Sequence, residues 1–421
     1  MTGAPESRLP ASLQSLASGH YRKFAAGALV SGTGNWAVRL AQLLLMLKIT
    51  GGSGGAAGLL AACQYLPLLV FGTQIGAVAD RRSKASVLMV GQCIMASAAA
   101  IEGVLILLGE QNEVLGLALA LAFGIGAAID NTLRMSLAPE LVPQRDIVNA
   151  VNLNSVSLQM GRLLGPIAAG IAIAYVGYGP VFMIATAAFL WFALVLARLG
   201  RATADTVSAP TGGASIRDGL AYVRADRELV LIFIIIGAGG LVGPNLATIS
   251  TIIVGIAYGG NSAQAGFVIA VLAIGTLLGA VWTTRHPNAD VRTITTAAGL
   301  LGVFAAICSL APSAATYALM LLPTGFLALV MVTQAGALVQ VRVAPSYRGR
   351  VTSLWAIVLI AGVPIGSPLY GWLTQLLGPQ TALAVMGAMV CAVTGTTAAW
   401  RWVRRLRRRR DASSAQGNAL A

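Results

Sequence analysis

Long apolar stretches separated by short polar gaps constrain this chain more than any other feature of its sequence. Each stretch holds about 20 residues, which is enough for a helix to cross a hydrocarbon core roughly 30 Å thick. Apolar residues make up 57% of the 421 residues and charged residues 10%, with a mean hydropathy of +0.79. Soluble domains, in contrast, contain about 25% charged residues. Because backbone polar groups cannot face lipid unpaired, each stretch must be a helix. The sequence therefore predicts an all-α polytopic membrane protein.

The stretches predict twelve transmembrane helices in two six-helix halves. The expected spans are 24–47, 56–78, 85–108, 114–136, 149–176, 180–199, 229–254, 264–284, 292–311, 315–340, 351–376 and 380–403. Between the halves, the run from Ile216 to Glu228 is amphipathic and suits a short helix on the membrane surface. The expected units are an N-terminal segment at 1–23, the halves at 24–199 and 229–403, a linker at 200–228 and a basic tail at 404–421.

The halves repeat each other weakly. Pro143 and Pro345 each open a basic loop, and Pro166 and Pro368 follow at the same interval. Parallel six-helix halves with a binding site between them are the architecture of one large class of transporters.

Basic residues indicate the orientation of the chain. The chain has 28 Lys and Arg against 14 Asp and Glu, a formal net charge of +14. Outside the spans, Lys and Arg lie at alternate gaps, as in the loop with Arg81 and in the tail at 404–410. Such loops stay in the cytoplasm, so we expect a multi-pass protein of a bacterial-type inner (plasma) membrane with both termini cytoplasmic. Anionic lipid headgroups, and not nucleic acid, are the expected partners of this charge.

Residues typical of enzymes are missing from the pattern. The four cysteines lie inside apolar stretches at unrelated spacings, so neither a disulfide frame nor a metal cluster is expected. No Gly-x-x-x-x-Gly-Lys-Ser/Thr motif is present, and the two histidines, His20 and His286, lie far apart. The sequence therefore predicts no enzymatic activity, no cofactor and no metal.

The loop after the second span contains Gly76, Asp80, Arg81 and Lys84 in the order Gly-Ala-Val-Ala-Asp-Arg-Arg-Ser-Lys. It resembles the loop signature of the major facilitator superfamily, with Ser83 at a position where glycine is usual. The resemblance implies that this cluster holds a cytoplasmic gate in one of two states. Gly76 would let two helices approach closely, and Asp80 could cap a neighbouring helix.

The fifth span contains a second motif, formed by Gly161, Arg162, Gly165, Pro166 and Gly170. It resembles the second half of the antiporter motif found in the exporters of that superfamily. Proline removes a helix hydrogen bond, so a deformable helix at the interface between the halves is expected; generic small-residue packing is the alternative.

Two further stretches carry the longest resemblance. They read DNTLRMSLAPELVPQRDIVNAVNLNSVSLQMGRLLGP from Asp130 and LVQVRVAPSYRGRVTSL before the eleventh span. Both are similar to the exporter subfamily that includes the enterobactin exporter and macrolide efflux proteins. This resemblance implies efflux of a small molecule.

Polar and charged residues inside the spans are the candidate functional residues, because each is costly in lipid unless paired or hydrated. These candidates are Asn35, Arg39, Glu102, Asp130, Arg134, Asn245 and Gln334. Asp130 and Arg134 share a helix face and can pair, although Asp130 could instead hold Lys84. Arg39 could meet an anionic or hydrogen-bonding substrate or neutralise Glu102 or Asp130. Glu102 or Asp130 could carry a proton; Glu102 could equally reach the outer headgroups.

Together these features predict a monomeric, proton-coupled exporter of an amphipathic small molecule such as a siderophore, a macrolide-like compound or another drug. Two alternatives remain at this point. One is an importer or facilitator of a small metabolite on the same fold. The other is a membrane sensor or scaffold that transports nothing.

Overall fold

The computed structural model describes residues 11–79, 81–200, 216–286 and 288–419, of which 11–13, 200, 216 and 404–419 are described by backbone alone. Within these ranges every regular element is a helix, so the expected all-α fold is confirmed. The α-helices are α1 (Gly19–Ile49), α2 (Gly54–Ala79), α3 (Lys84–Leu108), α4 (Glu113–Leu137), α5 (Ile147–Val176), α6 (Tyr178–Gly200), α7 (Ile216–Ala225), α8 (Arg227–Gly240), α9 (Leu246–Ile252), α10 (Ser262–Arg285), α11 (Val291–Cys308), α12 (Ala314–Arg342), α13 (Pro345–Leu377) and α14 (Pro379–Ala419).

Eleven segments of the described chain are long and apolar enough to cross a membrane. They are α2 to α6, α8 together with α9, and α10 to α14. Helix α1 has 31 residues but is less apolar, because it carries polar side chains such as Asn35, Arg39 and Gln42. These three side chains are buried in the protein, and α1 packs against α5 and α6. We therefore count α1 as the twelfth span.

The seventh span is broken near its middle. Helix α8 ends at Gly240, a 3-10 turn spans Gly243–Asn245, and α9 follows before a π-helical turn at Ile253–Ala257. Pro244 lacks a backbone N–H, and the neighbouring glycines lower helix propensity. The break therefore follows from the local sequence, although the expected span at 229–254 is a single helix.

The helix ends define two faces of the molecule. One end of the bundle, here called the basic face, carries the turn at Arg81–Ser83, the α7 segment and the α12–α13 turn with Arg342. The opposite end, here called the distal face, carries the turns at Thr50–Ser53, Gly109–Asn112 and Gly177.

The two groups of six helices touch near the distal face through small residues. Helix α2 packs against α13, where a Cβ on Gly58 would collide with the carbonyl oxygen of Ser367. Helix α5 packs against α10, where a Cβ on Gly170 would lie 2.5 Å from the carbonyl oxygen of Ser262. The backbones of these helix pairs are therefore as close as glycine allows.

Toward the basic face the same surface of α2 is open. Gly72 and Gly76 follow Gly54 and Gly58 after about five helical turns, so all four glycines lie on one side of α2. A Cβ on Gly76 would meet nothing within 4 Å, and one on Gly72 would meet only Leu68 of the same helix. The prediction that Gly76 brings two helices together is therefore wrong for this conformation. The space between the helix groups opens toward the basic face.

Helix α7 is held against α13 by protein contacts. Its Tyr222 ring stacks on Tyr347 of α13, with 4.8 Å between ring centroids. Gly219 lies against the backbone of Arg350, whose side chain is 3.5 Å from Asp218. The amphipathic run predicted at Ile216–Glu228 thus forms a short helix, followed at once by α8, and it is tied to α13.

Candidate functional site

Two arginines and two aromatic rings meet in the middle of the bundle. Arg39 of α1 and Arg162 of α5 each place a guanidinium near the ring of Trp36, at 5.9 and 5.1 Å from its centroid. Arg39 also lies over the ring of Tyr65 in α2, at 4.2 Å. The Arg162 side chain is exposed although it lies halfway along α5, so it lines the opening between the two helix groups.

Arg39 is held by neutral partners. Its Nε donates to Oδ1 of Asn35 at 2.9 Å, and its Nη1 donates to Oε1 of Gln64 at 3.5 Å. Neither Glu102 nor Asp130 contacts Arg39, so the alternative of direct neutralisation is not what the structure shows. In the described part of the chain, neither Arg39 nor Arg162 forms an ion pair with a carboxylate. The arrangement presents two cationic groups beside aromatic faces, which suits an anionic or hydrogen-bond-accepting amphipathic molecule.

A chain of buried amides connects Arg39 to Glu102. Gln64 Nε2 donates to Oε1 of Gln42 at 2.8 Å, and Gln42 Nε2 donates to Oε2 of Glu102 at 2.6 Å. The side chains are almost completely enclosed, with Gln42 1%, Gln64 4% and Glu102 3% exposed. Every donor in this chain points from Arg39 toward Glu102. The carboxylate and the arginine are therefore coupled through two amides, across α1, α2 and α3.

Glu102 also lines a small pocket. The pocket lies between the distal ends of α1, α3 and α4, and Ile49, Gln111, Asn112 and Leu115 form part of its wall. Gln111 belongs to the turn between α3 and α4, and its Nε2 is buried without a hydrogen-bond partner. Glu102 therefore lies between the amide chain on one side and the distal face on the other.

Asp130 and Arg134 form a separate cluster in α4, here called saturated because its two opposite charges pair directly. Arg134 Nη2 lies 2.7 Å from Oδ1 of Asp130, and Gln92 Nε2 donates to the same oxygen at 2.7 Å. Arg134 Nη1 donates to the carbonyl oxygen of Ala28 at 2.6 Å, and Ser31 bridges to Gln92 at 2.7 Å. The prediction that Asp130 and Arg134 pair is confirmed. Asp130 thus has its charge matched by Arg134, and its Oδ1 accepts from both Arg134 and Gln92, which ties α4 to α3.

The loop motif is partly outside the described residues, because Asp80 lies there. Arg81 is exposed, and Lys84 forms an ion pair with Glu140. Lys84 thus binds a carboxylate of the segment between α4 and α5, and not Asp130. Ser83 precedes α3 with φ −57°, so the turn is built without the left-handed residue that a glycine would supply.

The α5 motif packs on two neighbours at once. Cβ atoms on Gly161 and Gly165 would lie 2.9 Å from Gly32 and 2.6 Å from the Thr33 carbonyl oxygen of α1, respectively. On another side of the helix, the carbonyl oxygen of Pro166 and the backbone of Gly170 meet Gly266 of α10. Helix α5 therefore links the arginine site to the other half through backbone contacts.

Asn245 and Gln334, the two candidates from the second half, do not reach this site. Asn245 is fully buried, donates to the carbonyl oxygen of Gly362 at 2.8 Å and accepts from Ser367. It joins the broken span to α13. Gln334 Nε2 donates to the carbonyl oxygen of His286 at 2.9 Å, while its Oε1 is buried without a partner.

Gln42 and Gln64 were not among the residues predicted from sequence. One signal was available for Gln42, because Asn35, Arg39 and Gln42 recur at helical spacing along one side of α1. Nothing comparable points to Gln64 of α2, because its partner Gln42 lies on another helix.

Known proteins share both sequence pattern and fold with this chain. A family model described as transmembrane secretion effector matches residues 11–416. A bacterial homologue of the human lysosomal transporter Spinster, solved inward-facing and unoccupied, superimposes with a TM-score of 0.72 at 17% identity, covering 91% of this chain and 97% of that one. A variant of the nucleoside transporter NupG gives 0.72 at 14% identity, covering 90% and 99%. At these identities the likeness establishes the fold alone. No curated protein sequence matches the chain.

Proposed function

Because the chain belongs to the transmembrane secretion effector family and has the fold of major facilitator transporters, we propose that it exports an amphipathic small molecule across a bacterial-type inner membrane. The proposed cargo carries an anionic or hydrogen-bond-accepting group beside an apolar body. The observation that carries this proposal is the Arg39–Trp36–Arg162 cluster, whose arginines have no carboxylate partner in the described residues.

The orientation follows from the distribution of charge. With the basic face in the cytoplasm, the opening between the helix groups faces the cytoplasm and the site can load cargo from inside the cell. Both termini then lie inside, and anionic headgroups surround the basic face. We propose that the protein acts as a monomer, since the site is built from one chain.

Export then proceeds by alternating access. The close contacts near the distal face would open and the exposed glycine surface of α2 would close, so that the same site faces outward. An anionic cargo leaving the cytoplasm also moves down the membrane potential, which contributes about 2.3 kcal/mol per charge per 100 mV.

Proton coupling is part of this proposal, with Glu102 as the carrier. Asp130 is the weaker candidate because Arg134 and Gln92 already hold its carboxylate. Glu102 has one neutral hydrogen-bond donor, Gln42, and lines a pocket. A proton bound there would offset the export of cargo.

The first experiment is mass spectrometry of small molecules in cells and medium. It compares cells that lack the protein with cells that express the wild type, Arg39→Ala or Arg39→Lys, with and without a protonophore. We expect a compound that leaves cells only with wild-type protein and an intact proton gradient. Arg39→Ala should not export it. Arg39→Lys should export it more slowly, because lysine keeps the charge but lacks the planar guanidinium group.

Other outcomes of that experiment separate the alternatives. A compound that accumulates inside cells in a protein-dependent manner would replace the exporter with an importer. Export that ignores the protonophore would leave a facilitator. If Arg39→Ala and wild type exported the same compound equally, the arginine cluster would not be the cargo site.

A further inference from the structure

We propose that Glu102 takes its proton from the distal face while the cargo site is open to the basic face, and that this proton strengthens the cargo site through the amide chain. The proposal rests on the proposed function for the identity of the cargo site. It adds that proton and cargo are bound together, from opposite faces of the membrane, and not in turn.

Access to Glu102 is the first step. In this conformation the helix groups are in contact near the distal face, whereas Gly76 of α2 faces open space near the basic face. Glu102 nevertheless lines a pocket whose wall includes Gln111 and Asn112 of the distal turn. A hydronium ion at this pocket can transfer a proton to the carboxylate, forming an O–H bond on Glu102 and leaving water. The route does not require the halves to separate.

The ionisable groups described on the helices around Glu102 do not form an ion pair with its carboxylate. From α1 come Gln42 and, further along, Lys48, which lies over the ring of Tyr178 in α6 at 5.5 Å. Helix α4 and the preceding turn bring Glu113 and Glu110, which are both exposed. In the described residues no cationic side chain forms an ion pair with Glu102. Protonation of Glu102 therefore breaks no salt bridge.

The hydrogen-bond donors and acceptors of the amide chain decide whether a proton on Glu102 strengthens or weakens cargo binding at Arg39. An ionised carboxylate only accepts, which matches the observed direction of the chain from Arg39 through Gln64 and Gln42. A protonated carboxyl group gains one donor, and Gln42 can accept it only by turning its amide. Gln64 must then turn as well, so that its Nε2 faces Arg39.

The result is an excess of donors at the cargo site. Arg39 loses the acceptor that Gln64 provided, and two sets of N–H groups converge where an oxygen of the cargo can bind both. Loss of the negative charge at Glu102 also raises the positive potential at Arg39. A proton and an anionic or accepting cargo therefore favour each other, by about tenfold in affinity for a coupling energy in the range usual between sites.

The test uses sealed membrane vesicles of both orientations and dicyclohexylcarbodiimide, a membrane-permeant reagent for protonated carboxyl groups. Labelling of Glu102 is measured by mass spectrometry after the pH is changed on one face only, with Glu102→Gln to identify the labelled peptide. We expect labelling to rise about fivefold or more when the distal face is acidified from about pH 9 to pH 6, and to stay constant when only the basic face is acidified. The opposite dependence would overturn the proposal.

Two tryptophan variants test the pocket as the route. Leu115→Trp should plug the pocket and slow the response of labelling to distal pH. Val114→Trp, at an exposed neighbour outside the pocket wall, should not. Equal responses of the two variants, in either direction, would exclude the pocket as the route.

Reciprocity tests the amide chain. Taurocholate, an amphipathic sulfonate of constant charge, is added to the basic face and should increase Glu102 labelling at a fixed distal pH, because coupling between two sites acts both ways. Gln64→Leu should remove that increase while leaving the distal pH response intact. A decrease in labelling on adding taurocholate would reverse the proposed sign. Labelling that follows distal pH in a protein that exports nothing from cells would instead contradict the proposed function alone.

Discussion

Two buried polar clusters of the first six helices contain an arginine and a carboxylate, and they differ in how those charges are satisfied. In one cluster Arg134 touches Asp130 directly, and backbone and amide groups complete the contacts. In the other, Arg39 and Glu102 are separated by two glutamines, and each has a neighbouring opening. In the first cluster the two charges neutralise each other, whereas in the second neither charge has an ionic partner among the described residues, which is why we propose Arg39 for cargo and Glu102 for the proton.

Breaking the saturated cluster should produce the largest effect on stability. Arg134→Met leaves Asp130 buried without its cation, which destabilises a protein by about 3–5 kcal/mol. We expect little folded protein from this variant, measured as the monodisperse fraction after detergent extraction and heating. Arg134→Met with Asp130→Asn should recover most of the loss, because no uncompensated charge remains. A fully stable single variant would show that the cluster is not structural.

A change in α5, which links the arginine site to the second half, should have the next largest effect on stability. Gly165→Ala places a methyl group 2.6 Å from the Thr33 carbonyl oxygen and 2.7 Å from Cβ of Trp36. Overpacking of this kind costs about 1–3 kcal/mol, and it should also shift Trp36 and so weaken cargo binding. Gly76→Ala is the matched control, because its methyl group meets open space in this conformation. The measurement is thermal stability in detergent, and equal losses for both variants would contradict the observed packing.

A substitution in the separated cluster should affect transport more than stability. Gln42→Leu removes both hydrogen bonds that connect Gln64 to Glu102, while a side chain of similar size refills the space. We expect export to persist with a reduced dependence on external pH and the stability to fall by about 1–3 kcal/mol, as for other lost buried hydrogen bonds. The measurement is the export rate against external pH for the compound identified by mass spectrometry. An unchanged pH profile would show that the amides do not connect the two charges.

Sequence patterns predicted the saturated cluster more completely than the separated one. Asp130 and Arg134 lie four residues apart on one helix, so their pairing can be read from spacing alone. The chain from Arg39 to Glu102 crosses three helices, and its connecting amides gain meaning only from tertiary packing. The apolar stretches predicted the helices for the same reason, since each is a local property. They could not show that Gly76 would face open space, because that depends on which of two conformations the halves adopt.

Breaking the ion pair between Asp226 and Arg342, which is more exposed than that of Asp130, should have the smallest effect on stability. Asp226 caps α8 by accepting from the backbone N–H of Glu228 and is bound by Arg342 at 2.6 Å. Partial burial alone would raise the pKa of Asp226, but the hydrogen bonds from Arg342 and Glu228 outweigh it and hold the pKa below its ordinary value. The stabilisation is therefore present above the unfolded pKa, about 3.9, and is lost as the pH falls through the lower folded pKa.

Asp226→Asn should therefore lower stability at neutral pH by less than about 1 kcal/mol, because asparagine keeps the helix cap and removes only the charge. The difference between wild type and variant should shrink as the pH falls below about 3.9 and vanish below the lowered pKa of folded Asp226, where the carboxyl group is neutral. The measurement is thermal stability from about pH 3 to pH 8. A loss as large as that of Arg134→Met would mean that the exposed pair on the basic face is as essential as the buried one, and burial would no longer explain the difference between them.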